Sequence, residues 1–161
     1  MNRLIVWIVI AVVGSLSAGT TLSKLRRRPP ALEQAAGGGN RIEVSADLRG
    51  HFVVHPSVDG RRVRMLIDTG ASAVTLSHED AFLVGVRLRG GDYTARVSTA
   101  NGAIRAAPVR LSEVKIGDIV VRGVDALIMP PGALGTSLLG MTFLKRLGGF
   151  EIAQGHLVLK G

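Results

Sequence analysis

Cysteine is absent from the 161 residues, which excludes disulfides, thiolate metal sites and thiol nucleophiles. Aromatic residues are scarce at 4%, with one Trp and one Tyr. Single-stranded nucleic acid is bound by stacking bases on ring faces, and this chain offers few. The formal net charge of +8 would suit a polyanion only if it were focused. Instead Arg3, Lys24, Arg26, Arg27 and Arg28 flank one apolar run. From residue 40 onward, 15 Lys and Arg are scattered among 11 Asp and Glu. Nucleic acid is therefore not an expected partner.

Signals for bound groups are also missing. His51, His55, His78 and His156 stand apart, and the spacing of His51 and His55 makes a metal pair only on a helix. That segment reads as a strand, so no metal is expected. Gly37-Gly38-Gly39 has no strand before it and no Lys-Ser/Thr after it, so it is linker and not a phosphate loop. Ser72 and Ser77 lack a nucleophile elbow. No cofactor is expected.

Hydrophobic residues, by contrast, make up 47% of the chain. Residues 4–22 (LIVWIVIAVVGSLSAGTTL) carry no charge, and 19 residues just span a bilayer as a helix. Arg3 followed by a short apolar core and small residues also fits a cleavable signal. The length of the uncharged stretch favours an uncleaved anchor. Residues 1–23 are thus read as anchor or signal, 24–40 as a basic Pro/Gly-rich linker, and 41–161 as one globular domain. The flanking charge at residues 24–28 favours a cytoplasmic domain, whereas a signal-like start favours export.

Within the domain the pattern is strand-like. Residues 52–55, 63–67 and 74–76 are short apolar or β-branched runs between turn residues. Ser77 predicts a helix cap, with Asp80 in a capping-box-like position and Gly85 as the stop. Asn101-Gly102 between residues 93–98 and 104–111 is a strong hairpin signal. Further strands are expected at 114–116, 119–121 and 124–128. A short helix at 141–147 and a final hairpin of 150–152 with 157–159 complete the pattern. Many short strands with one or two brief helices predict an all-β, small closed barrel.

One stretch carries chemistry. In Met65-Leu66-Ile67-Asp68-Thr69-Gly70-Ala71-Ser72 an apolar strand delivers a carboxylate into a turn of small residues. Gly70 has no Cβ and lets a second backbone approach, and Thr69 offers a hydroxyl. Asp-Thr-Gly alone is a common turn composition. Here it follows a buried-looking strand, and a second element, Leu138-Leu139-Gly140, ends 72 positions later.

Leu66-Ile67-Asp68-Thr69-Gly70-Ala71-Ser72 resembles the active-site loop of retropepsins, the single-domain aspartic proteases of retroviruses and their bacterial relatives. Leu138-Leu139-Gly140 with the helix after it resembles that family's apolar-apolar-Gly element. Asn101 and Gly102 sit where the family places its flap, and the N-terminal segment is similar to that of bacterial membrane-anchored members. The resemblance implies a retropepsin-type barrel and an aspartic endopeptidase with Asp68 as the catalytic carboxylate. Thr69, Gly70, Ala71 and Ser72 would support the loop. It also implies a polypeptide substrate and a location at the bacterial inner membrane with a periplasmic domain.

A shared-proton pair of carboxylates supplies both base and acid, and this chain has just one Asp-Thr/Ser-Gly. Asp118 and Asp125 lack the following hydroxyl residue and glycine, so the second carboxylate is expected from another copy in a homodimer. Two alternatives stay open. One is a non-catalytic module of this fold that binds extended peptides or dimerises at a membrane. The other is a basic membrane-surface adaptor acting through residues 24–28.

Overall fold

The computed structural model describes residues 40–99 and 102–161. The expected anchor, residues 24–39 of the expected linker, and Asn101 lie outside the described residues. Among the described residues no helix is long and apolar enough to cross a membrane. The chain divides into two units, Met1–Ala36 and Gly37–Gly161, and the described residues lie in the second.

Twelve strands are described: β1 (Arg41–Ser45), β2 (Val53–Val54), β3 (Ser57–Val58), β4 (Arg61–Arg62), β5 (Met65–Ile67), β6 (Val74–Leu76), β7 (Ala95–Thr99), β8 (Gly102–Ile116), β9 (Ile119–Ile128), β10 (Ser137–Leu139), β11 (Gly149–Ala153) and β12 (His156–Lys160). Helix α1 spans His78–Leu83 and α2 spans Met141–Leu144. A three-stranded sheet has the order β1-β12-β11. The larger sheet runs β2-β5-β10-β6-β9-β8-β3-β4, with β7 joined to β8.

The all-β expectation holds, but the barrel is not closed by strand pairing. The large sheet curls as a half-barrel whose path ends on β2 and β4, each only two residues long. Strands that short leave too few ladder groups to close the ring.

Two expected breaks are absent. Residues 104–116 form one strand because Glu113 pairs with Arg122 and carries the β8–β9 ladder through. Pro108 is tolerated inside β8 because it sits past the end of β7 (last pair Ala106) and before β3 (first pair Val114). There β8 has a neighbour, β9, on one side only, so a residue whose N faces the open side has no ladder bond to forfeit.

Two elements escaped the sequence reading. The β3–β4 hairpin turns on Asp59-Gly60, both at positive φ (46° and 83°), as a two-residue primed turn requires. β1 pairs along its whole length with β12, from Arg41↔Lys160 to Ser45↔His156. Its Ile42 and Val44 face inward, against Arg41, Glu43 and Ser45 outside.

The core lies between sheet and helices. Phe143, Met65, Leu76, Leu111, Ile128 and Leu139 are fully buried. At ~25 cal/mol per Å² of apolar surface, each such side chain contributes roughly 1.5–3 kcal/mol. α2 is shorter than the expected 141–147, because after Leu144 the backbone closes i→i+3 bonds (Arg146 N–H to Phe143 O, 3.0 Å; Leu147 N–H to Leu144 O, 3.3 Å). The Arg146 guanidinium fastens this end by donating to the carbonyls of Arg122 and Gly123.

Candidate active site

The site follows from one topological fact. β5 and β6 are consecutive in sequence, yet β10 lies between them, parallel to β5 and antiparallel to β6. Residues 68–73, which join β5 to β6, must therefore arch over the end of β10. Gly140 sits directly beneath the arch, and a Cβ there would fall 2.2 Å from the Ala73 carbonyl oxygen and 2.7 Å from that of Ala71. Its φ of −94° is open to any residue, so space, not backbone freedom, demands glycine.

The arch is held along its length. Asp68 N–H donates to Leu139 O (3.2 Å), and Met141 N–H donates to Ala71 O (2.9 Å). The Thr142 hydroxyl accepts from Val74 N–H (2.8 Å). Leu138, Leu139 and Gly140, expected from the sequence as a companion element, are thus the floor on which the aspartate loop rests.

Asp68 is half-buried at the arch's start. Its Oδ1 accepts from Gly70 N–H (2.8 Å), which fixes the carboxylate's direction. None of the ion pairs among the described residues involves it. Thr69, Gly70 and Ser72 are exposed beside it. A fixed carboxylate without a neutralising cation, open to solvent on a loop of small residues, can act as base or acid toward a bound water.

The helix cap after β6 differs instructively from expectation. Ser77 Oγ accepts from Asp80 N–H (3.1 Å), as predicted. The return bond from the Asp80 carboxylate to Ser77 N–H is not made, because both groups bond to the Ser137 hydroxyl instead. Ser137 of β10 bridges the gap: its Oγ accepts from Ser77 N–H (2.9 Å) and donates to Asp80 Oδ2 (2.5 Å). Ser137 is 0% exposed, and no spacing rule would have marked it. Ser137→Ala leaves both partners short, and should lower stability by about 1–3 kcal/mol, read from the urea midpoint.

Gly102 opens β8 opposite Thr99 of β7, so the expected hairpin exists, and Thr99 Oγ1 donates to Gly102 O (2.8 Å). Where the arch meets the sheet, Ala73, Val109, Ala126 and Leu127 line a shallow cavity of about 410 Å³ with the Arg110–Asp125 ion pair at its side (2.9 Å). No cluster of three or more metal-ligating side chains occurs among the described residues.

Residues 54–146 match the family model described as "gag-polyprotein putative aspartyl protease". The chain is 39% identical over 123 residues to an uncharacterized protein in the cobV 5′ region of Sinorhizobium sp. (76% of this chain, 53% of that protein). It is also 39% identical over 120 residues to an uncharacterized protein of Rickettsia prowazekii (strain Madrid E) (73% and 50%). The chain thus spans about half the length of the curated relatives it matches. Among solved structures, it superposes on a retropepsin-like aspartic protease from Rickettsia conorii with TM-score 0.69 at 34% identity, covering 76% of this chain and 91% of that one. It superposes on EIAV protease, solved with the inhibitor HBY-793, with TM-score 0.56 at 16% identity (68% and 100%), a likeness of fold. With its carboxylate loop arched over an apolar-apolar-Gly floor, the chain belongs to the retropepsin-like aspartic protease family.

Proposed function

We propose that this protein is an aspartic endopeptidase whose active unit is a homodimer, with one Asp68 from each copy flanking a single water. The observation that carries this is the lone Asp68 carboxylate: held by Gly70 N–H, in none of the ion pairs among the described residues, and within the residues 54–146 that the family model matches. Two such groups brought close cannot both ionise cheaply, so they share one proton. The ionised carboxylate takes a proton from the water as its oxygen attacks the scissile carbonyl. The protonated one gives its proton to the carbonyl oxygen, leaving a gem-diol. Collapse of that diol breaks the C–N bond and sends a proton to the departing amine.

The remaining loop residues have supporting roles in this reading. The exposed Thr69 hydroxyl bonds across to the mate's loop, and Gly70, Ala71 and Ser72 leave room for an extended peptide. The β7–β8 hairpin around Asn101 and Gly102 closes over it and limits water. The enzyme needs no metal. Residues 4–22 tether it to the bacterial inner membrane, with the domain on the periplasmic side, and a reporter fused after Gly161 that is active only in the cytoplasm would argue against that side.

The test is cleavage of casein or an unfolded peptide between about pH 4 and 7, where a shared-proton pair operates. A transition-state inhibitor of aspartic proteases should abolish it. Activity should fall faster than linearly on dilution, as the dimer dissociates. Strict proportionality to concentration down to full dissociation would count against two-copy catalysis.

A further inference from the structure

The β7–β8 hairpin joins the body of the domain by two roots of unequal strength. On the β8 side the strand runs on past Ala106, the last partner of β7, and pairs with β9 from Ala107 to Ile116. That root holds as long as the large sheet does. On the β7 side the chain arrives from α1 through residues 84–94, which pair with no strand among the described residues.

Hydrogen bonds along this segment stay local. Val84 and Val86 N–H donate to the α1 carbonyls of Asp80 and Ala81, and the Arg87 guanidinium donates to Phe82 O. A single turn at Gly90–Asp92 closes on itself, with Arg89 N–H on Asp92 Oδ2 (2.6 Å) and Asp92 N–H on Arg89 O (3.0 Å). Val86, Leu88 and Tyr93 rest half-buried against the core. Such apolar contact is non-directional, so it holds the segment down without fixing its place along the surface. Among the described residues, the one hydrogen bond that leaves residues 88–94 joins the Tyr93 hydroxyl to His78 Nδ1 (3.1 Å). Tyr93 lies two residues before β7.

His78 is a fixed point. It opens α1 directly after the cap Ser77, whose N–H is bonded by the buried Ser137 hydroxyl of β10. β10 is the strand over which the Asp68 loop arches. A chain of bonds therefore runs from the floor of that loop to the root of β7.

We propose that His78 and Tyr93 are positioning residues that set where the β7–β8 hairpin stands over a bound peptide. The proposal rests on the reading of this hairpin as the cover of the Asp68 site. Both side chains act through the hairpin. With one root built into the sheet, a directional bond at the other decides how freely the hairpin pivots. An extended peptide pairs with a hairpin strand only while that strand is held in place, so loosening the tie weakens binding and leaves the chemistry at Asp68 alone.

The variants follow from the pair's geometry. Tyr93→Phe keeps the ring and removes the hydroxyl. His78→Ala removes the partner, whereas His78→Asn keeps an amide atom where Nδ1 stands, able to donate or accept. In peptide cleavage Tyr93→Phe and His78→Ala should each raise KM about fivefold, the worth of one ordinary hydrogen bond, with kcat unchanged. His78→Asn should return KM to the wild-type value. The hairpin itself is read without catalysis, because a cysteine introduced at exposed Ala103 of β8 is the sole thiol for a nitroxide label. In the full chain Tyr93→Phe should sharpen that label's EPR lines and His78→Asn should not, while a label on exposed Leu83 of α1 stays unchanged in both. Unaltered lines at Ala103 in Tyr93→Phe overturn the tie. Sharpened lines with an unaltered KM overturn its role in holding substrate. If wild type cleaves no peptide, the catalytic reading of Asp68 falls, and the spectra alone still support or overturn the tie.

Discussion

Asp68→Asn should abolish peptide cleavage while leaving the fold intact. In the proposed homodimer one substitution removes both carboxylates, hence both base and acid, and the loss should reach about 10⁴-fold, the upper range for general acid–base catalysis. Stability should change by less than about 0.5 kcal/mol, as for other accessible positions. The reason is local: among the described residues the one hydrogen bond to the Asp68 side chain comes from Gly70 N–H to Oδ1, and an Asn carbonyl oxygen accepts the same bond. Mixing sharpens the result. Excess Asp68→Asn protein added to wild type should suppress cleavage, because mixed dimers hold one carboxylate. An unaffected rate in the mixture, or equal cleavage by the variant alone, would remove Asp68 from a shared site.

Gly140→Ala should be the most damaging small substitution in the domain. Its methyl group would stand 2.2 Å from Ala73 O and 2.7 Å from Ala71 O, and both obstacles are backbone. No side-chain rotation relieves that overlap, so either the arch lifts or β10 shifts. Overpacking of this kind costs about 3 kcal/mol, at the upper end of the usual range. For a domain of this size that corresponds to a fall of roughly 10 °C in Tm. Whatever remains folded carries a displaced Asp68, and a misplacement near 1 Å costs about 10²-fold in rate. Melting and kcat measured on the same preparation check both parts, and an unshifted Tm would contradict the crossing geometry. Gly70→Ala is a useful contrast. Its Cβ would meet only Asp68 Oδ1 at 3.1 Å, so it should disturb activity more than stability.

The two substitutions separate what a motif reveals from what a fold reveals. Asp68, Thr69 and Gly70 were legible because their chemistry is local: a strand, a carboxylate and small residues in sequence. Leu138-Leu139-Gly140 was legible only as a companion pattern. That its glycine lies beneath Ala71 and Ala73 depends on β10 inserting between β5 and β6, a pairing across some seventy residues. Ser137 and Thr142 were invisible for the same reason. Each is an ordinary hydroxyl until the crossing brings it to Ser77 N–H or Val74 N–H.

Composition and pattern alone gave the β-rich character, the exclusion of thiol chemistry, the hairpin at Gly102, the helix cap at Ser77 and the position of the single Asp-Thr-Gly. These are properties of residues a few positions apart, where hydrophobic alternation and turn chemistry act directly. Only the tertiary structure decided the open half-barrel, the unbroken β8 and β9 and the arch over Gly140. Those depend on which distant strands share hydrogen bonds, and a strand's sequence records which face is apolar but not which neighbour it will have.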